Sequence, residues 1–116
     1  MYKAGAIIAV NGKIYEYVEK IGTSLNILNE IEIDEDGRFS TTYHYTFVAD
    51  KELANSKVNF TKNQWYGIVE HFIRQDYKLT EAEIAEATED IVGRCFAYGI
   101  PKFNELTEYI AEYMNR

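Results

Sequence analysis

Alternating apolar and polar residues in the first half of the chain predict two β-hairpins. In the first, Asn11-Gly12 separates two strand-like stretches, and both residues suit the positive φ angles of a two-residue turn. The pairs expected across that turn are Val10 with Lys13, Ile8 with Tyr15 and Ala6 with Tyr17. Both faces of this hairpin carry apolar residues. One face is therefore expected in the core, and the other is expected to be covered by a further part of the chain or by a partner.

The second hairpin is predicted to run from Leu25 to Ala49 around the three-residue turn Glu35-Asp36-Gly37. This turn places Gly37 in the left-handed conformation that a bulged three-residue loop requires. One face should then pack on helices, and it consists of Ile27, Ile31, Ile33, Phe39, Tyr43, Tyr45 and Phe47. The opposite face should be polar and acidic, and it consists of Leu28, Glu30, Glu32, Ser40, Thr42, His44 and Thr46.

Helical periodicity replaces the alternation after residue 60. Capping boxes at Thr61 and Thr80 predict the starts of two amphipathic helices, Gly99 ends the second, and Pro101 opens a third. The fold class that follows is α+β, with a four-stranded antiparallel sheet of two hairpins and then three helices packed on one face. We expect one domain over residues 1–116, with hairpins in 1–60 and helices in 61–116.

Composition narrows the classes of function. The chain has 116 residues, 47% of them hydrophobic, and its 19 acidic against 12 basic residues give a net charge of −7. Direct binding to nucleic acid or to an anionic membrane is disfavoured, because both depend on basic residues. No apolar run is long enough to span a membrane, and the N-terminus does not resemble a signal peptide. A single cysteine, Cys95, fits a reducing compartment, so a cytoplasmic location is predicted.

The sequence predicts no catalytic, metal or cofactor site. His44 and His71 have no partner at metal-ligand spacing, and Cys95 lies on the apolar stripe of the second helix, where a core role is expected. Gly67 and Gly93 interrupt predicted helices at a cost of up to about 1 kcal/mol each relative to alanine. Close packing is the preferred explanation for both, and backbone surface kept for a partner is the alternative. We therefore expect a protein that is not an enzyme.

Clusters of acidic residues are the most specific feature of the sequence. Five carboxylates surround the second hairpin turn, and three more recur at i, i+3 and i+7 of the second helix. The predicted partner-binding residues are Glu30, Glu32, Asp34, Glu35, Asp36, Glu83, Glu86 and Asp90. Ten tyrosines add side chains that suit either strands or protein interfaces. These acids form either a solubilising surface or a surface that matches a basic partner.

These residues favour a small acidic binding protein that docks on a basic partner, such as a nuclease or another enzyme that handles nucleic acid. In composition alone the chain resembles phage anti-defence inhibitors, such as anti-CRISPR proteins, and toxin-immunity proteins. That resemblance implies inhibition by steric and electrostatic blocking, and it transfers no site residue. The first alternative is a homo-oligomeric accessory protein that uses the spare apolar face of the first hairpin. The second is a small-ligand binder with Tyr43, His44 and Tyr45 near the rim of its pocket.

Overall fold

A computed structural model describes residues 2–53 and 58–115 and confirms the predicted α+β fold class. A four-stranded antiparallel sheet of strand order β1-β2-β3-β4 comes first in the chain, and three helices follow. The strands are β1 (Ile7–Val10), β2 (Lys13–Ile21), β3 (Leu25–Ile33) and β4 (Phe39–Ala49). Residues 54–57, which fall in the half predicted to form hairpins, lie outside the described residues.

The chain forms two compact units, and the sequence alternates between them. The sheet unit comprises Met1–Glu32, Phe39–Asn59 and Lys102–Asn104. The helical unit comprises Ile33–Arg38, Phe60–Pro101 and Glu105–Arg116. The tip of the second hairpin therefore belongs to the helical unit. A single domain stays a prediction.

The first hairpin has the predicted turn and register. Asn11 and Gly12 both have positive φ, and Val10 lies opposite Lys13 and Ile8 opposite Tyr15. The backbone N–H of Tyr17 donates to the carbonyl of Ala6 (2.8 Å), which extends the predicted pairing by one step. The spare face expected on this hairpin is buried at Ala9 and Ile14, so these residues offer no exposed surface for self-association.

The predicted faces of the second hairpin hold at Ile31, which is buried, and at Glu32, which is exposed, but they are wrong further from the turn. Leu28, expected on the polar face, is fully buried and packs with Val48 and with Ile8, Val10 and Tyr17 of the first hairpin. The side chains of Tyr43, Tyr45 and Phe47, expected to pack on helices, are 75%, 58% and 60% exposed. Each face of the second hairpin carries both apolar and polar residues, so the alternation along the strands did not identify the buried face.

The predicted three-residue turn is confirmed, but the prediction that β3 and β4 keep one pairing register along their whole length is wrong. Gly37 has a φ of 78° and its N–H donates to the carbonyl of Asp34, while the N–H of Asp34 donates to Arg38. At the other end of the β3–β4 pair, the backbone N–H of Asp50 donates to the carbonyl of Ser24. From Ser24 to Asp34 the chain advances ten residues, whereas from Arg38 to Asp50 it advances twelve. β4 therefore carries two extra residues, and the positive φ of Tyr43 (59°) marks the irregularity.

A polar network around the buried Asn26 holds the far end of the sheet together. Tyr17 donates its hydroxyl hydrogen to Asn26 Oδ1 (2.7 Å), and Asn26 Nδ2 donates to the carbonyl of Val48 and to Asp50 Oδ1. Lys20 Nζ lies 2.9 Å from the other carboxylate oxygen of Asp50. The hydrogen bond from Asn26, and then the one from Lys20, lowers the pKa of Asp50. This network satisfies a buried amide that would otherwise destabilise the sheet.

The helical unit contains α1 (Lys62–Asp76), α2 (Glu81–Tyr98) and α3 (Leu106–Met114). Both predicted capping boxes are present, and Gly99 ends α2 with a positive φ. The apolar residues that recur at helical spacing along α1 are all buried, as that spacing predicts, and they are Trp65, Ile68, Val69, Phe72 and Ile73. Phe96, at the end of the apolar stripe of α2, is exposed. Pro101 does not open α3. A 3-10 turn over Phe103–Glu105 comes first, and α3 then begins at Leu106 without a side-chain cap at Glu105.

Two glycines bring the hairpin tip directly against the backbone of α1. A Cβ on Gly67 would lie 2.8 Å from the Cα of Gly37 and closer still to the carbonyl oxygen of Asp36. A Cβ on Gly37 would collide with the carbonyl oxygen of Gln64 in the same way. Close packing therefore explains Gly67, as predicted. Gly93 differs, because a Cβ there meets nothing within 4 Å.

The same substitution at these two helical glycines should have opposite effects on stability. Gly67→Ala should lower the free energy of unfolding by about 1–3 kcal/mol or more, because the added methyl group collides with backbone atoms. Gly93→Ala should raise it by about 0.5–1 kcal/mol, because alanine is the better helix former and has room. Urea denaturation of both variants measures the two changes. Equal effects of one sign would contradict the close contact.

Candidate functional site

The net negative charge of the chain comes entirely from the helical unit. The sheet unit has 6 acidic and 6 basic residues and a net charge of zero, whereas the helical unit has 13 acidic and 6 basic residues and a net charge of −7. Division of the sequence at residue 60 hides this difference, because the hairpin tip contributes three acids to the helical unit. A basic partner would be attracted to the helical unit.

The five predicted hairpin acids divide between the two units. Glu30 is half-buried and Glu32 exposed on β3 of the sheet unit, whereas the other three form the turn in the helical unit. One oxygen of Asp34 accepts hydrogen bonds from the N–H groups of Asp36 and Arg38, both at 2.9 Å, so this carboxylate shapes the turn.

Asn63, near the start of α1, fixes the rest of the turn. Its Nδ2 donates to the carbonyl of Glu35 (3.0 Å) and to Asp36 Oδ1 (3.2 Å). Gln64 Nε2 donates to the carbonyl of Asp34. Among the described residues, only the Glu35 carboxylate of this turn has no hydrogen bond or ion pair.

The three predicted acids of α2 also have different roles. Glu83 Oε1 accepts a hydrogen bond from the N–H of Thr80 (3.0 Å), and the hydrogen bonds with Thr80 lower the pKa of Glu83. Its carboxylate thus completes the helix cap. Glu86 and Asp90 lie further along α2 and line an open cleft.

This cleft lies between α1 and α2 within the helical unit and has a volume of about 710 Å³. Tyr66 of α1 and Tyr98 at the end of α2 contribute aromatic side chains, and Tyr98 is 87% exposed. The other lining residues are Lys62, Glu86, Glu89, Asp90, Gly93, Arg94 and Ala97. Sequence reasoning did not select Glu89, although it lies three residues after Glu86 and four before Gly93.

The charged groups of the cleft are unequally paired. Arg94 Nε lies 3.6 Å from Asp90 Oδ1, and its guanidinium is 5.5 Å from the centre of the Tyr113 ring. Tyr113 donates its hydroxyl hydrogen to Asp90 Oδ2 (2.7 Å), which raises the pKa of the phenol. Lys62 Nζ lies 5.6 Å from the centre of the Phe96 ring.

Within the part of the chain that the structure describes, Glu86 and Glu89 have no hydrogen bond or ion pair. Two carboxylates beside the exposed Tyr98 and the half-buried Tyr66 suit a lysine or arginine side chain, which binds both carboxylates and aromatic faces. Gly93 lies between them and the end of α2 with no side chain to fill the space. Close packing therefore does not explain Gly93, and the alternative of surface kept for a partner stays a prediction.

The cysteine and histidine side chains outside the cleft show no arrangement typical of a reactive site among the described residues. Cys95 is buried, as predicted, and burial raises its pKa. The ring of His71 lies 5.7 Å from the ring of Phe72. Partial desolvation lowers the pKa of His71. In residues 2–53 and 58–115 no group of three or more His, Cys, Asp and Glu side chains is placed to hold a metal ion. Tyr43, His44 and Tyr45 are exposed on the edge strand β4 and line neither the α1–α2 cleft nor a second cleft near Arg74 and Glu81.

Comparison with known proteins leaves the function open. The chain matches no protein-family model, and no curated protein and no solved structure is significantly similar to it. No helix among the described residues is long and apolar enough to cross a membrane. The inference of function therefore rests on the residues and their arrangement.

Two neighbouring acids of the turn should differ in their effect on stability. Asp34→Ala should lower the free energy of unfolding by about 1–2 kcal/mol, because two backbone N–H groups lose their acceptor. Glu35→Ala should change it by less than about 0.5 kcal/mol, because the exposed side chain has no such role. Chemical denaturation followed by circular dichroism measures both. A larger loss for Glu35→Ala would contradict this assignment of the turn.

Cys95 should be unreactive in the native chain at neutral pH. Its side chain is buried and its raised pKa leaves little thiolate, which is the form that attacks thiol reagents. A chromogenic disulfide reagent should modify one thiol per chain in denaturant and almost none without it. Rapid modification of the native chain would show that the thiol is accessible.

Proposed function

We propose that this chain is a non-enzymatic binding protein whose helical unit docks on a basic protein and blocks it. The observation that supports this most strongly is the concentration of the whole net charge of −7 in that unit. Like charges at helical spacing destabilise isolated helices, so the stripe along α2 is maintained against a local cost. A basic surface on the partner would attract this acidic stripe, which would make association faster and more specific.

The α1–α2 cleft is the proposed point of docking. Glu86 and Glu89 provide negative charge that no described residue neutralises, while Tyr66 and Tyr98 provide aromatic surface. Tyrosine is enriched at the centres of protein interfaces, and the carboxylates contribute attraction to a basic surface. A lysine or arginine side chain of the partner would enter the cleft, with Gly93 leaving space for it.

The partner class follows from the charge. Proteins that handle nucleic acid carry basic surfaces that neutralise phosphates, and a row of carboxylates competes for those surfaces. A nuclease or a related enzyme in the cytoplasm is therefore the proposed target. Blocking needs no reaction on the part of this chain, only occupancy of the basic surface.

A salt-dependent capture experiment with charge variants tests this proposal. The full chain captures partners from host-cell lysate, with washes at low and at high salt, and the captured protein is then used for kinetic measurements. The variant Glu86→Gln/Glu89→Gln should slow association about tenfold at low salt, because it removes two charges from the docking cleft. At high salt the difference should shrink, because salt screens exposed charges.

The matched control is Glu19→Gln/Glu52→Gln, which removes the same charge from exposed positions of the neutral sheet unit. This control should leave the association rate within about twofold of the wild type. Equal slowing by the two double variants would show that only total charge matters and would remove the cleft from the proposal. A captured partner without a basic surface would overturn the proposal itself.

A further inference from the structure

The two edges of the sheet are protected to very different degrees. β1 is only four residues long, and the side-chain amide of Asn104 bonds its outer backbone. Asn104 Oδ1 accepts from the N–H of Ala9 at 2.6 Å, and Asn104 Nδ2 donates to the carbonyl of Ala9 at 3.2 Å. One amide therefore occupies both backbone groups of Ala9. The short length of β1 and this amide protect the edge against further pairing.

The opposite edge, β4, is less protected, and the irregularity at Tyr43 is the one edge-blunting feature that its described residues show. Its eleven residues include no proline and no Asp, Glu, Lys or Arg, and they are rich in aromatic, threonine and valine residues that favour strands. Within the described residues, β4 pairs with β3 alone. The side chains of Tyr43, Tyr45 and Phe47 are more than half exposed.

The hydrogen-bonding direction of the last part of β4 is known from its contacts with β3. Directly after β4, the N–H of Asp50 donates to the carbonyl of Ser24, the residue before β3, and the carbonyl of Val48 accepts from the side-chain amide of Asn26 on β3. Because successive backbone groups alternate in direction, those of Tyr45 and Phe47 point away from the sheet. Beyond the irregularity at Tyr43, the backbone groups of Tyr45 and Phe47 are therefore unpaired among the described residues, whereas those of the residue between them face β3.

We propose that two copies of this chain associate through β4, edge to edge and antiparallel, to form one continuous sheet. An antiparallel edge is self-complementary about a two-fold axis, because each outward N–H of one copy faces a carbonyl of the other. The absence of charged residues on β4 means that no like charges meet across that axis. The sheet unit also has a net charge of zero, whereas contact between two helical units would oppose one charge of −7 to another.

A second copy fits this edge better than the basic partner of the proposed function. A basic partner is attracted by carboxylates, and β4 provides none. Cross-strand pairs of aromatic side chains stabilise antiparallel strands, and Tyr45 and Phe47 supply them to both copies at once. Self-association through β4 is thus independent of docking at the α1–α2 cleft.

The test is a lysine on the edge strand, compared with a lysine elsewhere. Sedimentation of the full chain over a wide concentration range should show a reversible dimer. Phe47→Lys should raise the dissociation constant about tenfold or more, because it places like charges across the axis. Thr107→Lys, at an exposed position of α3, is the matched control and should dimerise like the wild type.

Hydrogen exchange provides a second measurement on the same samples. Exchange of the amides of Tyr45 and Phe47 should slow as the concentration rises, and this protection should be absent in Phe47→Lys. Thermal unfolding of Phe47→Lys at low concentration should match the wild type, because the side chain is exposed in the monomer. A wild-type chain that stays monomeric, a dimer unaffected by Phe47→Lys, or binding of β4 to a foreign strand instead of a second copy would each overturn the proposal.

Discussion

The contact of the hairpin tip with the backbone of α1 is the constraint on which the helical unit depends. Gly37 and Gly67 allow two stretches of backbone to meet without intervening side chains. Asn63 and Gln64 then bond the carbonyl oxygens of the turn, so the first turn of α1 recognises the hairpin by its backbone. Such contact tolerates no larger residue at either glycine. It makes the residues from Ile33 to Arg38 part of the helical unit.

The distribution of charge follows from that contact. Three acids of the turn join ten others in the helical unit, and the sheet unit is left neutral. The packing of the hairpin tip on α1, and not the order of the residues in the sequence, therefore places the net negative charge in one unit. The two proposed modes of recognition therefore fall on different units, with the basic partner on the acidic unit and the second copy on the neutral sheet edge.

Local signals in the sequence predicted the elements well and their surroundings less well. The turn at Asn11-Gly12, the capping boxes at Thr61 and Thr80 and the stop at Gly99 depend on a few adjacent residues, so they could be found from the sequence. The buried face of the second hairpin could not, because it depends on the long-range cluster around Leu28 and on two extra residues in β4.

The candidate site was predictable only in part for the same reason. Glu86 and Asp90 were selected from their helical spacing, and the structure places them together. Glu83 and Asp34 were selected on the same kind of evidence, yet hydrogen bonds with backbone groups occupy their carboxylates. Spacing identifies which carboxylates share a face, but only the positions of nearby donors show which are already used.

Two features break a local rule without compensation among the described residues, one in each unit. Gly93 weakens α2 although no atom needs the space, and β4 keeps a long uncharged edge although the other edge is capped. Sequences specify a fold most strongly when local and global preferences agree, and departures from that agreement concentrate at functional sites. Gly67, by contrast, breaks the same rule as Gly93 and is explained by the hairpin tip. The comparison separates a glycine that packing requires from a glycine that no contact among the described residues explains, and the uncharged edge of β4 is unexplained within the described residues in the same way.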